Sequence, residues 1–164
     1  MPGSKPTVAM VLSAGLGTRM APVNGGTLPK PLVRLGGRAL IDHVLDRHVE
    51  AGIARAVVNV HHKADLIEAH LKARRAPCIE ISDERDRLLD TGGGVVKAMP
   101  YFGNASFFVI NSDSIWVENA PALPPMLAQW DENRMDGLLL LADMPTAIGY
   151  DAQGDFILRP DHRV

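Results

Sequence analysis

The stretch Thr7-Val8-Ala9-Met10-Val11-Leu12-Ser13-Ala14-Gly15-Leu16-Gly17-Thr18-Arg19 decides how the rest of the chain is read. From Val8 to Leu12 it is an unbroken apolar run, the pattern of a strand buried on both faces. The run stops at two glycines, which let a backbone turn sharply and bring its amide groups close to an anion. A dinucleotide fingerprint would need Gly at position 20, where this chain has Met20, and a Walker loop would need Gly-Lys-Ser/Thr after its spacer; neither is present. What remains is a glycine loop followed by Arg19 and then by Leu28-Pro29-Lys30-Pro31-Leu32. Prolines on both sides restrict φ and disfavour helix before each ring, so Lys30 is predicted to stand on a stiff extended segment. Arg19 or Lys30 alone would read as a solvated surface cation. Their combination with the glycine loop points to a phosphate.

Outward from this stretch, strand and helix patterns alternate. Leu40, Ile41, Val44, Leu45 and Val49 form a helical stripe over residues 39–51, which Gly52 can close as a cap. Arg55-Ala56-Val57-Val58-Asn59-Val60 is β-rich, residues 63–74 carry Leu66, Ile67, His70 and Leu71 on one helical face, and Cys78-Ile79-Glu80-Ile81-Ser82 alternates like a strand. Residues 106–111 predict another strand, residues 125–132 a short helix, and residues 137–142 a further buried strand. This order implies a doubly wound α/β fold, a parallel sheet covered on both faces. Ile148-Gly149-Tyr150 and Asp155-Phe156-Ile157-Leu158, around a Gly-containing turn, read as a terminal β-hairpin.

Composition narrows the function classes. The 164 residues suit a single domain, and 46% hydrophobic with 22% charged is the balance of a soluble globular protein. Seventeen Lys and Arg against nineteen Asp and Glu give a net charge of −2, which argues against a nucleic-acid partner, whose phosphates demand many cationic contacts. A small phosphate ligand held by one or two cations stays open. The single cysteine, Cys78, excludes an internal disulfide and a multi-cysteine metal site, and reads as a small core residue. No apolar run reaches the ~18 residues of a membrane span, and residues 1–6 lack a signal-peptide core, so no membrane partner and a cytoplasmic location are expected.

The glycine loop and the Pro-Lys-Pro segment together resemble the signature of sugar-1-phosphate nucleotidylyltransferases. The likeness extends to Ala51-Gly52, to Leu89-Asp90-Thr91-Gly92-Gly93-Gly94 and to Phe108-Val109-Ile110-Asn111-Ser112-Asp113, covering most of residues 7–142. The Thr-Gly-Gly-Gly segment is most similar to the N-acetylmuramate-1-phosphate uridylyltransferase branch. Mannose-1-phosphate guanylyltransferases and glucose-1-phosphate thymidylyl- or uridylyltransferases are the alternatives within the family. The resemblance implies a Rossmann-like domain that moves NMP from an NTP, with UTP favoured, to a sugar 1-phosphate, releasing pyrophosphate. It also implies Mg²⁺ as cofactor and a monomer or homodimer. By the same resemblance Ala14, Gly15, Leu16, Gly17, Thr18 and Arg19 hold the nucleotide phosphates, and Lys30 stabilises the attacked α-phosphoryl group. Asp113 coordinates Mg²⁺, while Glu84 and the backbone near Gly92 contact the base. The residue types suit the chemistry: a sugar-phosphate oxygen is already an anion, so positioning and charge neutralisation are the task.

Each side chain also has a plainer reading. Asp113 could be a turn former after a strand. Thr91 and its glycines could simply start a helix. Glu84 lies in Asp83-Glu84-Arg85-Asp86-Arg87, a run that reads as a solvated face. His61-His62 lacks further ligands at a useful spacing, and Trp116 and Trp130 read as packing residues. The segment between Arg19 and Lys30 is one residue longer than is usual in the family, with Asn24-Gly25-Gly26 in place of a tighter turn. That family supplies a second metal-binding Asp and much of its acceptor pocket from a region beyond position 164. Residues 1–164 are therefore expected to be a single nucleotidyltransferase domain truncated in its acceptor-sugar portion, with nucleotide binding retained and transfer weak or lost. A non-catalytic nucleotide-binding module is the alternative of another class.

Overall fold

A computed structural model of the chain describes residues 5–18, 26–148 and 153–164. Its centre is a four-stranded parallel sheet built from β1 (Val8–Leu12), β4 (Arg55–Val60), β5 (Cys78–Asp83) and β6 (Phe108–Asn111) in the order β5-β4-β1-β6. Between β1 and β4 lie a small antiparallel ribbon, β2 (Arg34–Leu35) with β3 (Arg38–Ala39), and helix α1 (Leu40–Glu50). Helix α2 (Ala64–Leu71) joins β4 to β5, α3 (Asp90–Phe102) joins β5 to β6, and α4 (Leu123–Gln129) follows.

The strands form because their side chains find cover on both faces. Val11, Ala56, Val58 and Val60 pack with Ile41, Val44 and Leu45 of α1 and Ile67 and Leu71 of α2. The alternate positions Val8, Met10 and Val57 pack on the other face with Ala98 and Phe102 of α3. Period-two alternation of this kind hides an all-apolar strand completely. The doubly wound α/β fold read from the sequence is therefore the observed architecture.

Strand order also fixes where a ligand fits. The chain steps from β1 outward to β4 and β5, then crosses over through α3 to β6 on the far side of β1. The loops after β1 and β6 therefore diverge, and a crevice opens at the carboxyl ends of the strands. Register brings Leu12 opposite Asn59 on one side and Asn111 on the other.

Four expectations need correction. Residues 137–142 form no strand: they join none of the described ladders, and Leu139, Leu140 and Leu141 are 48%, 51% and 41% exposed. An all-apolar strand needs cover on both faces, which nothing among the described residues gives this segment. Residues 153–158 are likewise irregular, with Phe156 and Ile157 exposed and Gly154 at φ +95°, while the first half of the hairpin's turn and most of its first arm lie outside the described residues. Cys78 is exposed, because it opens the edge strand β5 instead of lying beneath a helix. Glu84 is fully buried although its neighbours Asp83, Arg85, Asp86 and Arg87 are exposed. Its amide donates to Val60 O at 2.8 Å, continuing the β4–β5 ladder one residue further and turning the side chain under α3.

Candidate active site

A cleft of about 480 Å³ lies at the carboxyl ends of β1, β4 and β6. Its floor is the loop of residues 13–18. One wall carries Lys30 and Asp113, and the other carries Leu88, Asp90 and Thr91 at the start of α3. Of the residues singled out by sequence, Ala14, Gly15, Leu16, Gly17, Thr18, Lys30 and Asp113 all line it. Arg19 and the longer turn at Asn24-Gly25 lie outside the described residues. Gly92 stands one residue beyond Thr91 and is exposed, with open space where a Cβ would project. Glu84 sits behind the wall and not on its surface. Trp116 and Trp130 do not line the cleft: the Trp116 indole donates to Glu118 Oε2 at 2.7 Å and lies under Arg47, and Trp130 faces a separate apolar cavity.

The glycine loop and the lysine are built against each other. Gly17 has φ +64°, a left-handed conformation that side chains disfavour, and a Cβ there would stand 3.1 Å from Lys30 Cβ. Pro29 is extended, but Lys30 itself opens a 3₁₀ turn, Lys30–Leu32, correcting the extended segment read from the prolines. Pro31 fits because a first helical turn leaves its N–H groups without intrahelical partners anyway. Buried Leu32 and Pro31 anchor the turn, and Leu32 N donates to Pro29 O at 2.9 Å. Lys30 Nζ forms an ion pair with Asp113 on the same wall of the cleft. Asp113 is held there because Ser112 N donates to Leu12 O at 3.0 Å, extending the β1–β6 pairing past the strand end. Both side chains are about one-third exposed, so the pair contributes little to stability and leaves both groups accessible to ligand.

Behind the loop runs a buried polar chain, of which the sequence reading singled out Glu84 but neither Asn59 nor the connection between them. Ser13 N donates to Asn59 Oδ1 at 2.7 Å, and the Ser13 hydroxyl donates to Asn59 O. Asn59 Nδ2 donates to Glu84 Oε1 at 2.8 Å, and Leu89 N reaches Glu84 Oε2 at 3.4 Å. The signal available in the sequence was Asn59 itself, a lone polar residue inside an apolar strand. Asp90 was also missed as a cleft residue: it is a non-glycine residue at φ +62° whose carboxylate accepts from Thr91 N at 3.0 Å.

Among the described residues no three His, Cys, Asp or Glu side chains converge as a metal-holding group. His61 Nδ1 lies 2.7 Å from Glu84 O, consistent with a structural place for that histidine. The accessible carboxylate of Asp113, with Asp90 on the opposite wall of the cleft, still suits Mg²⁺, which commonly takes one or two carboxylates and completes its shell with substrate phosphates and water. No helix among the described residues is long and apolar enough to cross a membrane.

A glycine loop at the switch point of a doubly wound parallel sheet, faced by the paired Lys30 and Asp113, defines a nucleotide-binding type of α/β domain. The chain belongs to the MobA-like NTP transferase family, whose model matches residues 9–147. It is 51% identical over 161 residues to the N-acetylmuramate alpha-1-phosphate uridylyltransferase of Caulobacter vibrioides, covering 95% of this chain and 66% of that protein. It is 34% identical over 158 residues to the Neisseria meningitidis enzyme of the same name, with the same two coverages. The chain thus spans about two thirds of the length of these relatives. Among solved structures, the inositol-1-phosphate CTP transferase from T. maritima superposes with a TM-score of 0.62 at 24% identity, over 78% of this chain and 49% of that one, which is a likeness of fold.

Proposed function

We propose that the cleft is the nucleotide site of a nucleotidyltransferase that moves UMP from UTP to N-acetylmuramate 1-phosphate and releases pyrophosphate. The observation that carries the reading is the convergence of the 13–18 loop, Lys30 and Asp113 on one cleft at the switch point. Identity to the two uridylyltransferases supports the choice of base and sugar.

In the proposed reaction an anionic oxygen of the sugar phosphate attacks the α-phosphorus of UTP. The bond from that phosphorus to the α–β bridging oxygen breaks, and pyrophosphate leaves with the electron pair. The nucleophile is already ionised, so no general base is needed. The task is to bring like-charged groups together and stabilise the departing charge. Exposed Gly15 and the amides through Thr18 form the surface on which the β and γ phosphates rest, with Arg19 following in sequence. Lys30 neutralises the α-phosphoryl oxygens. Asp113 and the nucleotide phosphates would hold Mg²⁺, which when bound supplies further charge neutralisation at those oxygens. The Lys30–Asp113 pair gives the free cleft a built-in exchange: the phosphate replaces Asp113 as partner of Lys30, and Asp113 is released toward the cation.

The test is pyrophosphate release with Mg²⁺ from UTP, GTP, dTTP or CTP, each paired with N-acetylmuramate 1-phosphate, mannose 1-phosphate or glucose 1-phosphate. Release that is weak and confined to UTP with N-acetylmuramate 1-phosphate is the result expected of a chain spanning about two thirds of its relatives' length. Preference for GTP with mannose 1-phosphate would move the reading to a guanylyltransferase. UTP binding without release from any pair would favour a nucleotide-binding module.

A further inference from the structure

We propose that Asn59 and Glu84 are positioning residues that lock the floor and one wall of the cleft to one buried support, and that Glu84 so sets the geometry of the glycine loop from behind the cleft surface. The inference rests on reading the cleft as a nucleotide site. Glu84 is 0% exposed and does not line the cleft; Asn59, 2% exposed at the base of the cleft, stands between Glu84 and Ser13 and carries the connection.

The donor and acceptor roles are forced. The Ser13 amide can only donate, so the Asn59 atom 2.7 Å away must be its carbonyl oxygen. The Asn59 NH₂ then points to Glu84 Oε1 at 2.8 Å, and the other carboxylate oxygen accepts from Leu89 N. Ser13 begins the glycine loop, and Leu89 directly precedes α3, whose first residues Asp90 and Thr91 form the opposite wall. One carboxylate therefore ties the floor of the cleft to its far wall. The packing leaves no slack: a Cβ on Gly94 would lie 2.7 Å from Asn59 Nδ2 and 2.8 Å from Glu84 Oε1. The resemblance assigns Glu84 to base contact; the geometry instead places it one layer behind.

Inverting the middle bond tests this. In Glu84→Gln the new amide meets a donor on one side whichever way it turns. In Asn59→Asp two carboxylate oxygens face each other. In the double variant Asn59→Asp with Glu84→Gln, the carboxylate introduced at position 59 accepts from the amide introduced at position 84, while the Ser13 and Leu89 donors keep their acceptors.

The experiment measures hydrogen exchange at the Ser13 amide and calorimetric binding of UTP with Mg²⁺ on the 164-residue chain. Glu84→Gln is expected to weaken UTP binding about 10-fold and speed Ser13 exchange, and the double variant to recover to within about 3-fold of wild type. Asn59→Asp is the variant most prone to unfold, and the comparison of Glu84→Gln with the double variant stands without it. A double variant no better than Glu84→Gln, or unfolded, overturns the proposal. So does a Glu84→Gln protein that loses only thermal stability while Ser13 exchange and UTP affinity hold. Absence of UTP binding by wild type would overturn the nucleotide reading instead, and Ser13 exchange would still decide whether the support acts on the loop.

Discussion

Gly94→Ala puts a single methyl group where the structure has no room for it. The added Cβ would stand 2.7 Å from Asn59 Nδ2 and 2.8 Å from Glu84 Oε1, two atoms that are buried and bonded to each other. Alanine in a helix interior gains about 0.8–1 kcal/mol over glycine. Against that, crowding a packed interior costs about 1–3 kcal/mol, and a buried polar group left without its partner costs about 1–3 kcal/mol. The two costs overlap, since breaking the Asn59–Glu84 bond is how the crowding would be relieved. The net is a loss of about 2 kcal/mol, or a Tm lower by ~4–8 °C for a chain of this size. Gly92→Ala is the matched control two residues away on the same helix. Its Cβ meets nothing within 4 Å, so only the helix gain remains and stability should hold or rise. Urea and thermal unfolding of both variants check this. A Gly94→Ala protein as stable as Gly92→Ala would refute the claim that the support behind the cleft is closely packed.

Asp113→Asn should change stability by less than about 1 kcal/mol, because the Lys30–Asp113 pair is partly exposed. It should weaken Mg²⁺-dependent UTP binding about 10-fold or more, which calorimetry with and without Mg²⁺ would show. Gly17→Ala combines a left-handed φ with a 3.1 Å approach to Lys30 Cβ, so both stability and UTP affinity should fall, measurable on one preparation. Burial holds the pKa of His48 below its usual 6.5, outweighing the hydrogen bond from its ring to Val44 O. Its folded pKa is therefore the lower one, and stability present above pH 6.5 is lost progressively as pH falls below it. Unfolding midpoints between about pH 7.5 and 5 should decline for wild type and flatten in His48→Gln. Asp42 adds a second acid-side loss further down. Burial raises its pKa, but bonds from His70 and Arg74 at 3.0 and 2.7 Å outweigh this and leave it below 3.8, so its contribution disappears as pH falls through that lower value.

The parts legible in the sequence are those governed by local pattern. The unbroken apolar run ending at Gly15 defined β1, and the stripe from Leu40 to Val49 defined α1, because burial on two faces or on one stripe leaves a period in the residues themselves. Lys30 and Asp113 could be singled out, but not their pairing, which depends on β6 returning beside β1. The support behind the cleft was illegible for the same reason. Asn59 comes from β4, Glu84 follows β5, and Gly94 lies on α3, and only the β4–β5 register with the α3 crossover brings them together. Within its charged run nothing local distinguishes Glu84 from Asp83 or Asp86. Residues 137–142 failed in the opposite direction. An apolar run meets a necessary condition for a buried strand, but pairing and cover come from elsewhere in the fold, and here neither is found among the described residues.

The most direct test of the central claim is a calorimetric titration of UTP, in the presence of Mg²⁺, into the wild-type chain and into Lys30→Ala. The account predicts saturable binding that prefers UTP over GTP, dTTP and CTP, weakened at least about 10-fold in Lys30→Ala at unchanged thermal stability. Equal UTP affinity in the two proteins, or no binding of any nucleoside triphosphate by wild type, would contradict it.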